Sequence, residues 1–198
     1  DIKGTIHEKD IQTLYEQGIV SGYADGTFKP DAHLTREQAV RLIGRMLKTE
    51  LKVPEDAQQI TRFEDVTAQA DEELKNLSAL LYEEGVFLGA QGYLDVQEPM
   101  QRQHMALVLN RFANDFYEVN LGQLAKQANF KASFTDLHGL NNEVIDAIIG
   151  LQYAGISVGQ QFQPSRAVTR GEFAAFLNRL FTYLDKQSVA HKEDHVQN

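Results

Sequence analysis

Residues 18–47 read GIVSGYADGTFKPDAHLTREQAVRLIGRML. The order is a helix end at Gly18, a glycine-rich loop, a short extended piece around Thr27-Phe28-Lys29, a cap at Thr35 and a second helix. The unusual point is Arg36, directly after the N-cap. A helix N-terminus already carries about +0.5 of an elementary charge, so a cation there needs a compensating reason.

The pattern recurs. Arg36, Arg102 and Arg170 lie 66 and 68 residues apart, and each follows a helix-period segment that ends in glycine: Gly18, Gly85 and Gly155. Each of these glycines sits where a helix C-terminus takes a left-handed residue. A β-branched residue follows every one (Ile19, Val86, Ile156), and four positions on comes another glycine: Gly22, Gly89, Gly159. The second and third copies begin with Phe63-Glu64-Asp65-Val66 and Phe134-Thr135-Asp136-Leu137, whereas the first has only Asp1-Ile2 there and reads as cut at its start.

After each loop an apolar stripe at helical spacing appears: Ala39, Leu42, Ile43, Met46 and Leu47; Met105, Val108, Leu109 and Phe112; Phe173, Phe176, Leu177, Leu180 and Phe181. Such stripes bury one helix face in a core. The expected organisation is three mainly α, helix–loop–helix repeats at 1–50, 63–117 and 134–184, with a polar tail or linker at 185–198. One such unit has a thin core, so a closed arrangement about a pseudo-threefold axis is expected, with an open solenoid as the competitor. Residues 48–62, with Pro54, read as a polar connection. The span 114–133 has room for an extra helical turn at Leu121, Leu124 and Ala125.

Thr35-Arg36-Glu37-Gln38 and Thr169-Arg170-Gly171-Glu172 both fit a capping box, in which the fourth residue reaches back to the cap's N–H. Gln101-Arg102-Gln103-His104 does not, since glutamine replaces threonine and histidine the acid. A lost cap costs about 1 kcal/mol. The arginine is the shared element. Free N–H groups, the helix dipole and a guanidinium together make a receptor for a carboxylate or phosphate, with the Gly22–Gly26 loop allowing close backbone approach. The competing reading pairs each arginine with an acid of a neighbouring unit, holding the units together.

Composition narrows the partners. The 198 residues are 42% hydrophobic and 24% charged with a net charge of −9. That balance suits a globular chain, opposes nucleic-acid binding and gives no long-range pull on an anionic polymer. Any anion site must be local. There is no cysteine, which excludes disulfides and thiolate metal sites. No apolar run approaches the roughly 18 residues of a membrane span. The start, Asp1-Ile2-Lys3-Gly4, lacks a signal peptide's basic and apolar regions, so either the chain is not secreted or its start has been processed or trimmed.

The order Asp-Ile/Val, helix, Gly-Ile, Gly22-Tyr23-Ala24-Asp25-Gly26-Thr27-Phe28-Lys29-Pro30, then Leu34-Thr35-Arg36-Glu37-Gln38 resembles the S-layer homology (SLH) domain of bacterial cell-surface proteins. The third copy, with Gly155-Ile156-Ser157-Val158-Gly159, Phe162, Pro164 and Val168-Thr169-Arg170-Gly171-Glu172, is similar to it too, and the likeness covers about residues 1–184. It implies a three-pronged spindle with a central helical bundle, non-covalent attachment of an exported protein to the cell wall or S-layer, and no enzymatic activity. The implied partner is a secondary cell-wall polysaccharide whose terminal sugar, often a pyruvate ketal of N-acetylmannosamine, sits in grooves between the prongs. Self-assembly would fall to modules outside this chain, and the alternative is a surface-layer assembly module that binds no glycan. By position, the implied ligand-binding residues are Arg36, Arg102 and Arg170, with Gly22, Tyr23, Asp25, Gly26, Gly89, Gly159 and the neighbouring acids Glu37 and Glu172. The family's early tryptophan is absent (Ile6 stands near that place), the second loop is a residue shorter, and the third has no Tyr-x-Asp-Gly segment. The groove containing Arg36 therefore ranks first.

No catalytic group, cofactor or metal site stands out. The abundant acids read as solvated helix faces rather than a glycosidase pair. His191 and His195 stand at i, i+4 in a polar tail without further ligands. Asp25-Gly26 reads as a turn, not a calcium loop, and no phosphate-binding Gly-x-x-x-x-Gly-Lys is present.

Overall fold

A computed structural model describes residues 1–50, 62–67 and 70–196; most of the polar connection with Pro54 lies outside the described residues. The chain is mainly α. Seven helices account for the regular structure among the described residues: α1 (Glu8–Glu16), α2 (Arg36–Glu50), α3 (Glu72–Glu83), α4 (Arg102–Tyr117), α5 (Leu121–Gln127), α6 (Asn142–Tyr153) and α7 (Arg170–Val196). The pieces around Thr27–Lys29 form no strand; among the described residues the loops pair in isolated bridges and no sheet.

The local signals act as their chemistry predicts. Gly18, Gly85 and Gly155 take φ of 71°, 71° and 70°. In each case the following β-branched residue donates its N–H back over the helix end, as Ile19 does to the Leu14 carbonyl at 2.9 Å, the Schellman arrangement. The extra turn forms as α5, capped by the Asn120 side chain on the Gln123 N–H. The backbone of residues 185–196 continues α7, as no glycine or proline follows Leu184 to stop the helix.

Helices pair between successive repeats: α2 packs on α3, α4 on α6, and α7 returns to pack on α1. The return contact closes the chain of units and rules out an open solenoid. At the meeting point the loops join in a ring of backbone hydrogen bonds. Leu34 N–H donates to Val168 O (3.0 Å), Val168 N–H to Met100 O (2.8 Å) and Met100 N–H to Leu34 O (2.8 Å). All three residues are fully buried. The ring satisfies backbone groups that would otherwise be stranded in the core.

The three stripes supply the shared core. Every stripe residue is buried except Leu42 and Phe181, which are partly so. Phe112 lies at its heart, with the rings of Phe116, Tyr117 and Phe181 within 5.4–6.3 Å. Helices α5 and α6 touch through glycine: a Cβ on Gly150 would stand 2.6 Å from the Gly122 nitrogen.

Candidate functional site

Both capping boxes form. Thr35 N–H donates to Gln38 Oε1 (3.3 Å) and Gln38 N–H to Thr35 Oγ1 (3.2 Å); Thr169 and Glu172 repeat this at 3.0 and 3.2 Å. Gln101 makes no side-chain cap bond.

The first two N–H groups of each arginine-led helix are not free for a ligand. Arg36 and Glu37 donate theirs to Glu98 O and Val96 O, Arg102 and Gln103 to Arg166 O and Pro164 O, Arg170 and Gly171 to Ala32 O and Pro30 O. Each helix start thus docks the loop of a neighbouring unit. The surrounding carbonyl dipoles also offset the cost of placing a cation at a helix N-terminus.

The guanidinium groups complete the docking. Arg36 Nε donates to Leu94 O (2.5 Å), Arg102 Nε to Phe162 O (2.7 Å) and Arg170 Nε to Phe28 O (2.8 Å). All three arginines are 8–9% exposed and stack on aromatic rings: Arg36 on Phe87, Arg102 on Phe162 and Phe176, Arg170 on Tyr23 and Phe28. Burial pushes each guanidinium below its ordinary pKa, though arginine stays charged at any physiological pH.

An aspartate fastens each accepting loop from behind. Asp1 takes the N–H groups of Phe28 and Lys29, Asp65 those of Leu94 and Val96, and Asp136 those of Phe162 and Gln163. The residue after each carbonyl acceptor (Lys29, Asp95, Gln163) has φ of 56–58°, a left-handed turn that carries a non-glycine strain. These aspartates were visible in sequence as a recurring Asp-Ile/Val/Leu pair. Their task was not, because their partners lie 26–31 residues on.

Spatial grouping differs from sequence grouping. The Gly22–Gly26 loop does not face Arg36. It belongs with Arg170, whose terminal nitrogen bonds Ser21 O (3.1 Å) and whose guanidinium lies 4.6 Å from the Tyr23 ring. Within that loop, Asp25 accepts from Thr27 N–H and hydroxyl, and those bonds hold its carboxyl down at about 2. Gly22 leaves room for the Thr27 carbonyl that Tyr23 N–H bonds, and Gly26 takes a left-handed turn, φ 81°. Gly159 O accepts from Ser133 Oγ. Glu37 pairs with Arg41.

Pairing with acids holds for one arginine. Arg102 Nη1 reaches Glu172 at 3.1 Å, and Arg166 binds the same carboxylate. Burial opposes the charge on Glu172, but its bonds from Arg166 and Thr169 outweigh that and hold the carboxyl below its usual range. Arg36 has no ion pair, and its two terminal nitrogens make no hydrogen bond among the described residues. Arg36 lines a groove of about 770 Å³. Its walls hold Phe87, Leu88 and Gly89 from the second loop, the acids Asp95 and Glu98, and His104 and Arg111 from α4.

The closed cycle, the capped arginines and the aspartate clamps form one repeated design. Residues 1–40 and 133–174 match the family model of the S-layer homology domain. The first and third units carry S-layer homology domains. Residues 63–117 lie outside both matches; there Asp65, Gly85 and Arg102 stand in the places that Asp1, Gly18 and Arg36 hold in the first unit.

Among curated relatives, an endoglucanase of Bacillus sp. (strain KSM-635) is 30% identical over 105 residues, 52% of this chain. A cellulosome-anchoring protein of Acetivibrio thermocellus is 44% identical over 48 residues, 24% of the chain. The matches span only 11% of the length of each relative.

Proposed function

We propose that this chain anchors the protein to which it belongs to the bacterial cell wall, by holding an anionic terminal sugar of a secondary cell-wall polysaccharide in the Arg36 groove. A cell-surface location follows from the S-layer homology units, a family of wall-anchoring rather than catalytic domains, and a relative is named as a cellulosome-anchoring protein. The observation that carries the binding reading is the Arg36 guanidinium. Its Nε is spent on Leu94 O, and its terminal nitrogens remain to make two parallel charge-assisted bonds to a carboxylate. The other walls suit a sugar: Phe87 and Leu88 offer apolar surface, and Asp95, Glu98, Gln103 and Asn141 offer polar atoms to hydroxyl groups. A pyruvate ketal of N-acetylmannosamine joins one carboxylate to such a ring.

Calorimetry against purified wall polysaccharide, with and without its pyruvate ketal, tests this. The ketal-bearing form is expected to bind, and Arg36→Ala to weaken binding roughly ten- to hundredfold, as for loss of a charged hydrogen-bond partner. Equal affinity for both glycans, or for both proteins, refutes it.

A second reading has an observation of its own. Arg102 spends Nε on Phe162 O and Nη1 on Glu172, so there the arginine serves as a bridge between units. In that reading all three arginines are assembly contacts, and the intact protein binds no glycan.

A further inference from the structure

We infer that His104 is a second cationic contact of the Arg36 groove and makes its hold on an anion dependent on pH. This rests on reading the groove as an anion site. His104 occupies the third position of α4, where the other units carry Gln38 and Glu172. Those two side chains turn back to accept from the N–H of their own caps. An imidazole is too short and too differently shaped to do the same, and Gln101 is tied instead to Gln103 (2.6 Å). His104 is thereby released from capping.

Its half-buried ring lies on the wall of the groove that Arg36 lines. Neither ring nitrogen has a hydrogen bond among the described residues, and neither is sealed from solvent. Burial, and then the charge of Arg36, push the imidazole below its ordinary pKa, so the empty groove holds it neutral at neutral pH. Of the other charges around it, Arg111 is tied to Glu143 at 2.7 Å, and Asp95 and Glu98 line the groove without an ion pair among the described residues. A carboxylate bound to Arg36 neutralises the charge that keeps His104 deprotonated and accepts from the imidazolium. The histidine pKa therefore rises on binding, a proton is taken up, and affinity increases as pH falls. A rise of one pKa unit is worth up to tenfold.

The test titrates the methyl glycoside of the pyruvate ketal of N-acetylmannosamine into the whole chain at pH 5.5 and 7.5. Two buffers of different ionisation heat count protons, and NMR follows the His104 ring. Wild type is expected to bind about three- to tenfold tighter at pH 5.5, with net proton uptake and a rise in the His104 pKa. His104→Gln is expected to bind with no such dependence, and Arg36→Ala to bind roughly ten- to hundredfold more weakly at both pH values. The same pH dependence in His104→Gln, or an unmoved His104 titration on binding, overturns the inference and leaves the anchoring proposal standing. No binding by wild type at either pH overturns both. An unchanged His104→Gln melting temperature separates loss of contact from loss of fold.

Discussion

Asp65 and Arg36, from different units, grip opposite sides of Leu94. The carboxylate accepts the Leu94 N–H at 2.7 Å while the guanidinium Nε donates to the Leu94 carbonyl at 2.5 Å. Leu94 itself is fully buried. The clamp fixes the loop that walls the groove and, through Leu94, the direction in which the free edge of Arg36 points.

Asp65→Ala removes two charge-assisted bonds to buried or half-buried backbone and leaves the Leu94 N–H without an acceptor. A loss of about 2–3 kcal/mol in urea unfolding is expected. Binding in the Arg36 groove should fall as well, although Asp65 does not line it. A variant of wild-type stability contradicts the clamp.

Arg36 and Arg102 should separate by readout. Arg102→Ala breaks a bridge to Phe162 O and Glu172 and is expected to cost about 2 kcal/mol of stability while leaving the Arg36 groove able to bind. Arg36→Ala also loses its bridge, but its distinctive effect is loss of ligand. Identical binding isotherms for the two variants would remove the distinction.

The second unit's missing cap is open to repair. Gln101→Thr with His104→Glu rebuilds the capping box and should add about 1 kcal/mol by thermal or chemical unfolding. Thr169→Ala should cost about the same in the third unit. The repaired chain should bind an anion more weakly, since a carboxylate then stands beside Arg36.

Acid should weaken the inter-unit ion pairs. Hydrogen bonds from Arg41 and Arg45 lower Asp71 and Glu73 below their ordinary values, and Glu172 is likewise held low. A depressed carboxyl contributes stability that is complete above its unfolded pKa and lost as pH falls through the folded one. Stability should therefore hold above about pH 5 and decline below about pH 4. Arg41→Met, which frees Asp71, should flatten part of that slope in melts taken from pH 6 to pH 3.

Gly150→Ala places a methyl 2.6 Å from the backbone of α5. Overpacking of about 1–3 kcal/mol is expected, read as a lower unfolding midpoint.

Local rules made much of this protein legible in its sequence. Helix stripes, glycine ends and both capping boxes depend on residues within a turn or two of each other, so spacing alone reveals them. The same locality made His104 stand out, as a residue unable to fill the place it occupies. Where the rules were applied across a distance they misled. Gly22–Gly26 precedes Arg36 in the chain but serves Arg170, and the helix-start N–H groups that looked available to a ligand dock a neighbouring loop.

By itself the sequence determined that the chain is mainly helical, threefold repeated and marked by one arginine per repeat. Only the tertiary structure decided which loop meets which arginine, because α7 packs back on α1 and every helix start is completed by a loop from another unit. It also decided that the three arginines are unequal. Each spends its Nε on a carbonyl, but one terminal nitrogen of Arg102 bonds Glu172 and one of Arg170 bonds Ser21 O, whereas neither terminal nitrogen of Arg36 is bonded among the described residues and Arg36 lines an open groove.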